Sequence, residues 1–467
     1  MSAPLGTPAR PLRVAVVGSG PSGFYAVEHL QKQAGLAVEI DMFDRLPTPF
    51  GLVRGGVAPD HQKIKAVTRV YDRLASHPTF RFLGNVTVGK DVSHDELLQR
   101  YDAVIYAVGA QTDRTLGIPG EHLPGSHAAT EFVGWYNGHP DYRDFSFDLT
   151  HEAVAVIGIG NVAIDVARVL AKAGDELRTT DVCGHALDAL RESRVRTIYI
   201  LGRRGPVQAA FTNPELKELG ELASADIVVR QEDLALDEHS RAALGSGENR
   251  EAEKNVRTLE AFAARGPSGK PRRIVLRFLV SPVEILGTDR VEAIRVMKNR
   301  LEPDGRGGVK AVPTGETETI PVGLVFRSVG YKGVPVPGLP FDERTGTIPN
   351  VEGRALVAPD AAETLRGTYA VGWIKRGPVG VIGTNKPCAV ETVEHLLEDA
   401  KAGRIGASGS ASTIDELLAS RGAQVVTYAD WKRLDRLEQE RGRLRGAPRE
   451  KFTRISEMLD AVRAGVS

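Results

Sequence analysis

Gly18, Gly20 and Gly23 stand in the run Gly-Ser-Gly-Pro-Ser-Gly, directly after the apolar stretch Val14-Ala-Val-Val and before a helix-forming segment that reaches residue 30. That spacing suits a phosphate. The first glycine allows a tight turn, the second lets backbone approach a pyrophosphate, and the third lets the helix pack closely with its N-terminus toward the anion. Ser19, Pro21 and Ser22 fill the turn. A second apolar stretch, residues 38–43, closes on Asp44, where an acid can accept from a ribose hydroxyl. The competing reading of Asp44 is a turn or cap residue. The pattern recurs at Gly158-Ile-Gly160-Asn161-Val162-Ala163, with Ala163 in place of the third glycine, so the chain carries two nucleotide sites. The strand after this second turn, residues 197–201, runs into Arg203 and Arg204 instead of an acid. Paired guanidinium groups there favour a 2′-phosphate, hence NADP over NAD, against the alternative of a solvated arginine pair. The gap from Gly160 to Arg203 is about twice the roughly 20 residues of the simple pattern. Residues 174–194 read as an inserted helix and turn that accounts for it.

Acid–base groups near such sites are few. His61 ends a Gly- and Pro-rich loop of residues 45–61, Asp165 sits on the second glycine helix, and Glu215 follows the arginine strand. His61 reads equally well as a structural loop histidine, and Asp165 as a helix-surface acid. Cys183 and Cys388 are the only cysteines and lie far apart, so no iron–sulfur set, zinc site or Cys-x-x-Cys redox pair is expected, and no metal. A chain with two nucleotide sites and no other electron store needs a redox cofactor, and a flavin is the obvious one.

The elements that must position these residues follow from the patterning. At 467 residues the chain is long enough for two or three domains. Lys and Arg together number 60, as do Asp and Glu, which argues against a general polyanion-binding role. No stretch reaches the roughly 18 apolar residues of a membrane span, and the first ten residues lack an apolar signal core, so the cytoplasm is the expected compartment. An amphipathic helix is expected over residues 63–74, a strand pair over 80–88, and a buried strand over 101–110. Residues 223–273 read as a charged helical excursion on which Arg250, Lys254 and Arg257 share nearly one face, more simply a solvated face than a docking one. Residues 324–331 resemble 104–109 and mark an expected return of the chain to the first domain. A strand, a glycine-rich turn and a helix are expected over 368–385, a small-residue linker over 403–412, and helices over 413–421 and 430–441.

Several runs are more selective than any glycine pattern. Gly18-Ser-Gly-Pro-Ser-Gly-Phe-Tyr, Pro49-Phe-Gly-Leu-Val-Arg-Gly-Gly-Val-Ala-Pro-Asp-His61, Phe132-Val-Gly-Trp-Tyr-Asn137, Gly160-Asn-Val-Ala-Ile-Asp165, Gly202-Arg-Arg-Gly-Pro206 and Gly372-Trp-Ile-Lys-Arg-Gly-Pro378 together resemble the adrenodoxin-reductase-type ferredoxin–NADP reductases, the bacterial members most closely. The resemblance runs from about residue 14 to 387. It implies an α/β fold of two Rossmann-like domains: an FAD domain of residues 1–109 and 329–403, interrupted by an NADP domain of 110–328, with a helical extension of 404–467 on the FAD domain. It implies FAD held by Ser22 and its glycine turn, Asp44, Leu52, Val88, Trp373 and the backbone of Gly380, Val381 and Ile382. NADP would be held by Arg114, the Asn161–Val162 turn, Arg203, Arg204, Glu215 and Gly380, with His61, Asp165 and Glu215 around the reacting rings. Asp44 is shorter than the glutamate of relatives, and Gly372-Trp373 replaces the Gly-Asp of most FAD-binding relatives, against a thioredoxin-reductase-like enzyme.

The expected activity is hydride transfer from NADPH to FAD, then single-electron delivery to an acidic ferredoxin, with Lys375 and Arg376 as part of a basic rim. An NADPH-oxidising subunit of a larger complex, as in glutamate synthase, would bring cysteine clusters this chain lacks. A sensor that binds both nucleotides without turnover is the remaining alternative.

Overall fold

The computed structural model describes residues 4–245, 249–305, 307–407, 409–410 and 412–464. Two largely parallel sheets carry the architecture. The chain begins with β1 (Leu12–Val17), β2 (Val38–Asp44), β3 (Phe80–Gly84) and β4 (Ala103–Tyr106). It leaves through β5 (Thr112–Asp113) and lays down β6 (Ser126–Ala128), β7 (Ala153–Ile157), β8 (Thr197–Leu201), β9 (Ala225–Val229) and β10 (Arg272–Arg277). An antiparallel trio follows, β11 (Val280–Leu286), β12 (Ala293–Pro303) and β13 (Val309–Pro321), then β14 (Leu324–Arg327) and β15 (Tyr331–Lys332). The last strands are β16 (Asn350–Val351), β17 (Arg354–Leu356) and β18 (Thr364–Ala370). The first sheet is ordered β16-β17-β18-β4-β1-β2-β3 and the second β6-β14-β7-β8-β10-β9.

Strands buried on both faces must be apolar nearly throughout, and β1 and β7 are. In β1 only Arg13 is exposed, and Val14 faces Ile40 on one side and Ala103 on the other. In β7, Val154 to Ile157 are all buried, between β8 and β14. The strand order reverses beside each of these two strands, so both glycine turns sit at topological switch points, where an open sheet leaves a crevice for a ligand. The two chain crossings between the sheets pair with each other: Tyr331 lies opposite Asp113 and Lys332 opposite Thr112.

Four expectations are corrected. Residues 63–74 are not one helix but two, Gln62–Lys65 and Thr68–Ala75, because the hydrogen bonds at Val67 and Arg69 tighten to i→i−3. Of residues 80–88, only Phe80–Gly84 is a strand of the sheet. The charged excursion hides β9, which pairs with β10 at the sheet edge, and its Asp226 accepts from Ser268, Gly269 and Lys270. The stretch 324–327 is not the return to the first sheet but a central strand of the second, between β6 and β7; the crossing comes at β15. The residue 403–412 linker falls partly outside the described residues.

The C-terminal helices are anchored locally and by burial. Ile414–Ser420 and Tyr428–Arg443 both begin with capping boxes, Thr413 with Glu416 and Thr427 with Asp430. Trp431, Leu434 and Met458 join the hydrophobic core beneath β1 and the helix Pro21–Gln31. Cys183 and Cys388 are both free and buried.

Candidate functional site

The first turn is closed by its own residues. Gly18 adopts φ +105°, and a Cβ there would lie 2.5 Å from the Ala107 carbonyl oxygen, so only glycine fits. Gly20 caps the helix Pro21–Gln31 and has no atom within 4 Å of its Cβ position. Asp44 turns inward: its carboxylate accepts from the Ser19 amide (3.0 Å), the Ser19 hydroxyl and the Leu46 amide (2.9 Å). Burial raises its pKa against those bonds. Gly372 lies so close that a Cβ there would sit 2.0 Å from Ser22 Oγ, which brings the end of β18 against this helix.

The second turn repeats the backbone and changes the ending. Gly158 has φ +130°, with a Cβ position 2.1 Å from the Ser328 carbonyl oxygen, and Gly160 opens onto free space like Gly20. Ala163 is fully buried, Val162 packs on the same core, and Asn161 accepts from the Thr212 amide at 2.8 Å. Arg203 is exposed and Arg204 half-buried. Neither guanidinium has a hydrogen bond or ion pair among the described residues, and the same holds for exposed Arg114.

Open glycines, donor helices and unpaired guanidinium groups are what two dinucleotides need, so the residues fit FAD at the first turn and NADP at the second. Around the first, Leu52 and Val381 expose apolar surface, Val88 and Ile382 are partly buried, and the Trp373 indole N–H is buried without a partner. The Trp373 ring stacks on Tyr331 at 5.3 Å between centroids. Gly380 follows exposed Val379, in a loop held by Arg376, which donates to the Val379 carbonyl and to Asn385 Oδ1.

Lys375 is neutralised within the fold and does not form part of a basic rim, whereas Arg376 bonds neutral oxygens of its own loop and keeps its charge. The Lys375 side chain is 8% exposed and bonds Glu391 and Thr392. The partners lie within 17 residues along the chain, but nothing in the sequence marks them as facing inward.

Between the turns, side chains from three segments converge. His61, 8% exposed, places Nε2 2.6 Å from Glu218 Oε2 and 3.6 Å from Glu215 Oε2, and Nδ1 3.8 Å from Asp165 Oδ1. Arg168, one turn along from Asp165, donates to Asp165 and to Asp60, and Lys172 reaches Asp60 at 2.7 Å. Burial raises Glu215 to about 7, helped by the charges of Asp165 and Glu218. Burial also raises Asp165, opposed by Arg168. Asp60 goes the other way: burial penalises its charge, but Arg168 and Lys172 hold its pKa below the ordinary value. The cluster therefore holds a carboxyl that titrates near neutrality beside a histidine, with cations fixed one layer behind.

Sequence reasoning reached His61, Asp165 and Glu215 and missed Asp60, Arg168, Lys172 and Glu218. Each missed residue has a local signal: Arg168 and Glu218 follow Asp165 and Glu215 by three positions on their helices, Lys172 follows Arg168 by four, and Asp60 precedes His61.

Residues 12–200 match the family model described as pyridine nucleotide-disulphide oxidoreductase. NADPH-ferredoxin reductase FprA of Mycobacterium tuberculosis is 48% identical over 461 residues, covering 96% of this chain and 99% of that protein. The mitochondrial NADPH:adrenodoxin oxidoreductase of Arabidopsis thaliana is 42% identical over 463 residues, covering 97% and 96%. The structure of M. tuberculosis FprA in complex with NADPH superimposes with a TM-score of 0.90 at 47% identity, covering 97% of this chain and all of that one.

Proposed function

The chain belongs to the adrenodoxin-reductase-type ferredoxin–NADP reductases, and from that membership and the site geometry we propose that it takes reducing equivalents from NADPH and passes them to a ferredoxin-type iron–sulfur protein. The observation that carries the reading is His61, borne on the first unit's loop, lying within 4 Å of Asp165 and Glu215 of the second unit. FAD, when bound, accepts a hydride as an electron pair and returns the electrons singly, which a two-electron donor and a one-electron acceptor require of an intermediary.

The chain's own residues do the rest. Gly18 to Gly23 present the helix Pro21–Gln31 to a pyrophosphate, and Gly372 and Trp373 close the ring end. Asp44 supports the first turn by accepting from Ser19 and Leu46. Arg203 and Arg204, whose side chains have no partner among the described residues, would bind the 2′-phosphate and set the preference for NADPH, with Arg114 as a further contact. Glu215 would hold a proton at the junction of the two units beside His61, and Asp165 with Arg168 fixes the orientation of the cluster.

The sheet memberships support an FAD domain of residues 1–109 and 329–403, an NADP domain of 110–328 and an extension of 404–467. Among the described residues no helix is long and apolar enough to cross a membrane, and two free buried cysteines suit a reducing compartment. We place the protein in the cytoplasm on that basis.

Anaerobic stopped-flow absorbance of the yellow protein tests the function. Rapid bleaching by NADPH, slow bleaching by NADH and reoxidation by ferredoxin in one-electron steps are expected. A bound flavin that NADPH fails to bleach would overturn the enzyme reading in favour of a nucleotide-binding sensor.

A further inference from the structure

A cavity of about 280 Å³ lies where the helices Gln62–Lys65 and Thr68–Ala75, the second unit at Asp181 and the C-terminal helix Tyr428–Arg443 with its following loop meet, behind Phe50, whose amide bonds the Ser19 carbonyl of the first turn. Its walls carry Arg54, Lys65, Arg69, Arg449 and Lys451. Most of that charge is accounted for. Arg54 makes two bonds to buried Glu438, at 2.5 and 2.8 Å, and Arg449 bonds Asp435 at 2.5 Å. Asp72, also in the wall, is taken by Lys432 at 3.3 Å and the Tyr428 hydroxyl.

Two cations are left over. Lys65 and Lys451 share the single carboxylate of Asp181, at 2.7 and 3.4 Å, and the Lys451 side chain is only 1% exposed. Arg69, four residues on from Lys65 in the next helix and in the same cavity wall, has no partner among the described residues. Burial, then the charge of Lys451, pushes Lys65 down to about 7 although Asp181 pulls it up. Two lysines facing one carboxylate, with an unpaired arginine beside them, leave the cavity wall with an excess of donors and positive charge, and an oxyanion offers both the missing charge and acceptors for ammonium and guanidinium groups.

We propose that this cavity is a binding site for a small oxyanion of the phosphate or sulfate class, held by Lys65, Arg69 and Lys451. It would tie the first unit to the C-terminal extension through one ligand.

Isothermal titration of the FAD-bound protein with potassium phosphate tests this, under saturating NADP⁺ so that the arginine pair is filled, against potassium chloride of equal ionic strength. The expected result is saturable one-to-one binding of phosphate beyond the chloride control, weakened about tenfold or more in both Arg69→Met and Lys65→Met. Arg69 is exposed, so its variant keeps the fold, checked by an unchanged flavin spectrum. No saturable phosphate heat above chloride, or wild-type affinity in Arg69→Met, would overturn the proposal.

Discussion

The two glycine turns share a backbone and differ in what waits at the end of the next strand. At the first, Asp44 is spent inside the protein, accepting from Ser19 and Leu46, so the turn is rigid before any ligand arrives. At the second, the Arg203 and Arg204 side chains have no partner among the described residues, so their donors stay available for a ligand. The contrast is what a tightly held cofactor at the first turn and an exchangeable one at the second would require: preorganised acceptors lower the cost of ordering, while unpaired cations attract an anion.

The sharpest way to break the comparison is at the glycines. Gly18→Ala drives a Cβ into the Ala107 carbonyl at positive φ and should destabilise the fold by about 4 kcal/mol. Gly20→Ala meets no protein atom, and should leave apoprotein stability unchanged while weakening FAD binding; thermal melts with and without FAD separate the two. Equal melting of both apoproteins would remove the distinction between a structural and a ligand-facing glycine.

Next is the arginine pair. Changing both Arg203 and Arg204 to Ala should cost about 3 kcal/mol of NADPH binding, roughly a hundredfold in the ratio of NADPH to NADH efficiency, with no change in FAD content. Steady-state kinetics with both donors reads this, and an unchanged ratio would mean that the 2′-phosphate lies elsewhere.

The junction between the turns comes third. Glu215 is held protonated up to about pH 7 against an ordinary 4.5. Its contribution to stability is therefore complete below about pH 4.5 and is lost as pH rises through 7. Glu215→Gln, which carries no charge, should be more stable than the parent at pH 8 by about 2 kcal/mol after allowance for screening at its solvent edge, and equal to it near pH 4. Denaturant melts across that range test the sign. The smallest effect is expected for Asp44→Ala, about 1 kcal/mol of stability from the lost Ser19 and Leu46 bonds, and FAD retention on dilution should fall with it.

Both glycine turns, the acid and arginine endings and the residues His61, Asp165 and Glu215 were legible from spacing and resemblance. Less legible were features whose local pattern conflicts with their setting. β9 lies in a charged stretch, and β14 looks like β4 because both are apolar strands ending near a glycine. Lys375 reads as surface charge until Glu391 and Thr392 fold over it.

The sequence by itself determined the two phosphate turns and the chemistry of their endings, because a turn, a helix start and the next strand end are local and each needs particular residue types. Only the tertiary structure decided that Asp44 faces inward, that His61 meets Glu218 across 157 residues of chain, and that Lys65 and Lys451 share Asp181. Those depend on how two separately formed sheets and a C-terminal helix pack, and packing sets charge balance and burial, which no local spacing records.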